Sequence, residues 1–141
     1  RWGPNQFYLG EAEQARLMKL VINLMIAQTS AMLGEALTLG RKGGLDWHDM
    51  WRVMGASAVA SPIVKAKSAQ LSERDFSATF TVNQMIKDLD LILGAAGDHQ
   101  VPLPQTALTR QLMDAARAHG DAEADYAAII KATERSAGLS T

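Results

Sequence analysis

Two residues of this 141-residue chain have types and a spacing suited to proton chemistry: Lys19 and Asn23. At 100° per residue they differ by about 40° and sit one turn apart on one helical face. Ser30, seven residues beyond Asn23, returns to nearly the same direction. This polar stripe lies on a greasy background. Of the eighteen residues from Leu17 to Gly34, only Lys19 is charged. An ammonium in apolar surroundings has its charged form disfavoured, so its pKa is expected to fall towards neutrality. An amine tuned in this way can give and take a proton at about pH 7. An adjacent amide can hold a substrate oxygen or orient the amine. The competing reading is structural: Lys19 extends its head to water and Asn23 bonds nearby backbone.

Other residues that could carry chemistry read as structural. His48, His99 and His119 stand far apart, so no histidine metal motif is visible. There is no cysteine, which excludes a disulfide framework and a thiolate metal site. Asp88 and Asp90 are two apart on a helical stretch and do not face each other, so they form no carboxylate dyad. Trp47 and Trp51 share one face and read as packing, with His48 at the surface or in a cap. The seven methionines mostly fit apolar faces as adaptable filling. The charges of Glu73-Arg74-Asp75 and of Glu134-Arg135 are expected to be solvated.

These residues need elements to position them, and the pattern is helical almost throughout. Residues 1–9, with Gly3, Pro4 and Asn5, read as an extended or turn segment. A long helix is predicted from about Gly10 to about Lys42, with Glu11 and Glu13 at its positive end and Arg41 and Lys42 at its negative end. Gly43 and Gly44 stop it. Asp46 caps a second helix through Trp47, Met50, Trp51 and Met54. Ser61-Pro62 opens a third, to about Leu71. A fourth runs from about Val82 to Ala96. Pro102 and Pro104 precede a fifth, ending near Gly120, and a sixth spans about Ala122 to Ala137. The expectation is an all-α bundle of about six helices built on one long N-terminal helix, with residues 1–141 as a single domain.

The composition bounds the function. Fourteen Lys+Arg against fifteen Asp+Glu leave a net charge of −1, so no overall basic charge argues for nucleic acid or an anionic membrane. An apolar fraction of 48% with 21% charged residues argues against whole-chain disorder. The lack of cysteine is compatible with a reducing, cytoplasmic setting. The apolar run follows an acidic segment, Glu11-Ala12-Glu13, which is unlike a signal peptide. As a membrane span it is barely long enough, contains Lys19, Asn23, Gln28, Thr29 and Ser30, and lacks an aromatic belt. The first residue is Arg1, so the chain reads as a fragment or a processed product. A helix of about 45 Å that is apolar nearly all round exceeds what one small bundle can cover. A second copy of the chain or a further domain would supply the rest.

The chain resembles the C-terminal helical domain of the β-hydroxyacid dehydrogenases, which include 3-hydroxyisobutyrate dehydrogenase and tartronate semialdehyde reductase, with 6-phosphogluconate dehydrogenase as a larger relative. The carriers are Gly10-Glu11 ahead of Met18-Lys19-Leu20-Val21-Ile22-Asn23, similar to a K-x-x-x-N motif. Glu35-Ala36-Leu37 and Gly44-Leu45-Asp46 follow in order, as do the Pro102/Pro104 segment and Gly120 to Asp125. Phe80, seven residues ahead of Lys87-Asp88-Leu89, is similar to the family's F-x6-K-D-L.

The resemblance implies that Lys19 is the catalytic acid/base, that Asn23 contacts substrate and that Lys87 lies by the nicotinamide cofactor. It implies NAD or NADP bound mainly on an N-terminal Rossmann domain, for which this chain shows no strand followed by G-x-G-x-x-G. The isolated domain is then expected to be inactive. The partners implied are that Rossmann domain, a small hydroxy acid and a second copy docked through the long helix. Glu13 and Ala15 stand where the family has glycines, which points to altered packing or substrate choice. Two alternatives stay open: a structural helical dimerisation module without catalysis, and an imine-reductase-like relative, against which Lys19 speaks.

Overall fold

The computed structural model describes residues 11–141. The expected segment at residues 1–9 and the first residue of the long helix lie outside the described residues. Six α-helices follow in order: α1 (Ala12–Lys42), α2 (Trp47–Gly55), α3 (Pro62–Leu71), α4 (Val82–Asp98), α5 (Pro104–Ala116) and α6 (Ile129–Ser136). No strand occurs among the described residues, and the only pairing of that kind is an isolated bridge between Thr81 and Asp125.

Local chemistry sets most helix ends. The Asp46 carboxylate accepts from the Asp49 N–H at the start of α2, and the Ser61 hydroxyl accepts from Val64 N–H while Pro62 fills the first helical position of α3. Thr81 and Gln84 form a reciprocal capping box at α4. After α5 the chain turns through a wide π turn, Arg117–Asp121, in which Gly120 takes φ +98°. That left-handed value favours glycine.

The sixth helix begins later than the sequence suggests. Residues 122–124 form a turn and a bend, Asp125 makes the isolated bridge, a 3-10 turn covers Tyr126–Ala128, and α6 starts at Ile129. The reason lies in α4. The first amides of a helix have no acceptor within it. Here Val82 N–H donates to Ala124 O at 2.9 Å and Asn83 N–H to Ala122 O at 3.0 Å, so the 122–124 segment serves as an external acceptor strip.

Helix α1 packs on α6, α4 and α5, and α4 packs on α5. Leu37, Leu89, Met113, Ile129 and Ile130 are fully buried between them, and Leu71 of α3 belongs to the same core. Trp51 joins this core, and Trp47 meets it edge-on with ring centroids 6.0 Å apart, as expected of a packing pair. The buried residues of α1 all lie in its second half, from Ala27 to Thr38. By length and composition alone α1 could cross a membrane, and 28% of an eighteen-residue apolar window in it is buried. Leu17, Val21, Met25, Met32 and Leu39 stand exposed along it.

Two buried ionic clusters tie the helices together, and one corrects an expectation. Glu134 is not solvated: it is 0% exposed. Arg41 of α1 donates to it at 2.6 Å, and Arg74 grips it with two bonds of 3.1 and 2.8 Å. Arg74 also lies over the Trp47 ring at 4.5 Å. Glu73 and Asp75 are exposed as expected. The second cluster is Asp125, 0% exposed, with Lys67 at 2.7 Å. Asp125 also accepts from Thr79 N–H and Oγ1–H and from Ala127 N–H. Burial alone would raise the Asp125 pKa. The Lys67 bond and those backbone donors outweigh it and hold the carboxyl below its ordinary value. Burial and the neighbouring Asp125 charge push the Tyr126 hydroxyl up.

Candidate active site

The stripe on α1 ends sooner than its spacing implied. Ser30 is buried and donates to Ala27 O at 2.6 Å, so its own helix satisfies it. Lys19 and Asn23 remain, and both line a groove of about 790 Å³ between the first half of α1 and the face of α4. Helix α4 contributes Asp88, Leu91, Gly94, Ala95 and Asp98 to that groove.

Within the groove Asn23 Nδ2 donates to Asp88 Oδ2 at 2.8 Å. Leu89, 0% exposed, anchors this part of α4 in the core and so fixes where Asp88 stands. The surroundings of Lys19 differ from the greasy cleft expected of it. Lys19 is exposed. The cause is the one-sided cover of the first half of α1: Leu20 and Leu24 pack against the core, while Lys19 stays open to solvent. Glu13, at a position where glycine was expected, puts a carboxylate on the groove wall and pairs with Arg16 at 3.2 Å. Asp90 is held by Arg110 at 2.8 Å.

Lys87 is exposed and lines a neighbouring polar cleft of about 530 Å³, together with Thr81, Asn83, Arg110 and Arg117. The two hollows share Asp90. The structure therefore brings Lys19, Asn23 and Asp88 together and places Lys87 next door. One turn further along α4, Leu91 lies on the Lys87 side of the helix and lines the Lys19 groove. Sequence reasoning missed Asp88. It set Asp88 aside because Asp90 is not its partner, and that much holds, but the true partner is 65 residues away on α1. Its place in the K-D-L segment was the available signal. His99 also lines the groove, at the far end of α4.

Residues 14–133 match the family described as "NAD-binding of NADP-dependent 3-hydroxyisobutyrate dehydrogenase". The chain belongs to this 3-hydroxyisobutyrate dehydrogenase family. It is 34% identical over 139 residues to 2-(hydroxymethyl)glutarate dehydrogenase of Eubacterium barkeri, covering 98% of this chain and 46% of that protein. It is 29% identical over 130 residues to glyoxylate/succinic semialdehyde reductase 2, chloroplastic, of Arabidopsis thaliana, covering 92% and 36%. The chain thus spans half the length of these relatives or less. The same fold occurs in 3-hydroxyisobutyrate dehydrogenase of Mycobacterium tuberculosis, solved with L-serine. The TM-score is 0.78 at 21% identity, over 89% of this chain and 45% of that one. The relatives matched include dehydrogenases and reductases, and also the cytokine-like nuclear factor N-PAC of Drosophila melanogaster, 25% identical over 126 residues, covering 89% of this chain and 21% of that protein; the family is one that binds NAD.

Proposed function

We propose that this chain is the substrate-side domain of an NAD- or NADP-dependent oxidoreductase. That enzyme interconverts a small β-hydroxy acid and its semialdehyde. The observation that carries this reading is the shared groove. The family's K-x-x-x-N lysine and asparagine, Lys19 and Asn23, face the K-D-L segment of α4 across it. In oxidation, a neutral Lys19 amine takes the proton of the substrate hydroxyl. In reduction, the Lys19 ammonium returns a proton to the carbonyl oxygen. Asn23 binds the substrate and holds it against the amine.

The donors present suit the nicotinamide end of a dinucleotide. Exposed Lys87 can offer its ammonium there, while no described strand-turn-helix could cradle a pyrophosphate. Bound nicotinamide supplies or accepts the hydride. A Rossmann domain of the same protein would carry most of the dinucleotide and cover Lys19, and this chain alone would be inactive. We place the enzyme in the cytoplasm. The test is nicotinamide absorbance with the protein that includes its nucleotide-binding domain, NAD or NADP, and a panel of short β-hydroxy acids. Absence of turnover with every one of them overturns the reading.

The exposed apolar stripe of α1 supports a homodimer through this helix. Leu17, Val21, Met25 and Met32 are 41–60% exposed within the chain, and a contiguous apolar face of this kind marks an association surface. Sedimentation should give a dimer at micromolar concentration. Val21→Glu together with Met25→Glu should shift it to monomer. A well-folded wild-type monomer would contradict the dimer.

A further inference from the structure

Asp88 has no part in the proton transfer just described, yet among the described residues it is the partner of the Asn23 side-chain amide. We propose that Asp88 is a positioning residue, which fixes the Asn23 amide before substrate arrives. The proposal rests on the reading of Asn23 as the substrate contact.

A primary amide can turn end for end about its last torsion, exchanging oxygen and nitrogen. An ionised carboxylate only accepts. With Asp88 Oδ2 at 2.8 Å, Asn23 must present Nδ2 to α4. One Nδ2–H is then committed, and the second Nδ2–H and Oδ1 are left as a donor–acceptor pair of fixed sense. Both ends of the bond are held. Asn23 is half-buried on α1, one turn from Lys19, and Asp88 is half-buried beside fully buried Leu89. The other carboxylates of the groove wall do not compete for the amide where partners are seen: Glu13 pairs with Arg16 and Asp90 with Arg110. Orientation fixed in advance removes an ordering cost from substrate binding.

Two variants separate orientation from mere packing. Asp88→Asn keeps an acceptor oxygen at the same place, and Asp88→Ala removes it. In the protein with its nucleotide-binding domain, Asp88→Ala should raise KM for the hydroxy acid about 10- to 100-fold. kcat should fall by less than about tenfold, because the acid/base is untouched. Asp88→Asn should restore KM to within about threefold. In the chain itself, the Asn23 side-chain amide pair in an ¹⁵N–¹H spectrum should move in Asp88→Ala and stay close to wild type in Asp88→Asn. An unchanged KM in Asp88→Ala, or an Asp88→Asn as impaired as the alanine variant, overturns the proposal. So does an Asn23 signal indifferent to Asp88→Ala. Because the spectrum needs no turnover, it judges Asp88 even if the oxidoreductase reading itself fails.

Discussion

Lys19→Ala should lower kcat/KM of the NAD(P)-dependent reaction by about 10²- to 10⁴-fold while leaving the fold intact. The rate loss follows from removing a general acid/base, whose contribution is of that order. In activation free energy it is about 3–5 kcal/mol. The intact fold follows from exposure: Lys19 is at the surface, and such substitutions usually change stability by less than about 0.5 kcal/mol. Lys19→Arg sharpens the test. A guanidinium keeps the charge but cannot surrender its proton near neutrality, so this variant should be as slow as the alanine one. If charge alone served the reaction, Lys19→Arg would retain much of the rate. Steady-state kinetics with a matched urea unfolding curve decide both points, and near-wild-type turnover by Lys19→Ala would end the assignment.

The largest expected loss of stability comes from Asp125→Ala. The carboxylate is 0% exposed and satisfies Lys67, two groups of Thr79 and the Ala127 N–H at once. Removing it leaves Lys67, 7% exposed, without its counter-charge and leaves those donors without an acceptor. Breaking a buried pair from one side costs about 3–5 kcal/mol. Urea denaturation should show that loss. The same group predicts an acid limit. Its folded-state pKa lies below the unfolded value of about 3.9. Its stabilisation is therefore fully present above that value and is lost as pH falls through the lower folded one. Wild type should lose stability below about pH 4. Asp125→Asn should start less stable and lose less over the same interval.

What could be read in advance was what neighbouring residues decide among themselves. Asp46, Ser61-Pro62 and the Gly43-Gly44 stop all act within one turn of chain, and the helix ends they imply are where they should be. Lys19 and Asn23 are four apart on one helix, so their shared face was also legible. What failed depended on distant chain. The start of the last helix moved because the amides of Val82 and Asn83 needed carbonyls from residues 122–124. Glu134 looked like a solvated charge because Arg41 and Arg74 lie 93 and 60 residues away. The greasy cleft around Lys19 was inferred from the apolar character of α1, but apolarity of a helix states a demand for cover and does not say which side of it this chain meets.

The uneven burial of α1 has a mechanical consequence. From Ala27 onwards the helix is clamped by buried residues; towards Lys19 it is supported on one side only, by Leu20 and Leu24 against the core and by the Asn23–Asp88 bond as a strut midway between Ala27 and Lys19. Lys19 lies about 12 Å beyond the clamp at 1.5 Å per residue. A tilt of about 5° at the clamp would carry it sideways by about 1 Å, a displacement large enough to matter to catalysis. The stiffness of that stretch, and whatever body comes to rest on it, set the reach of the amine.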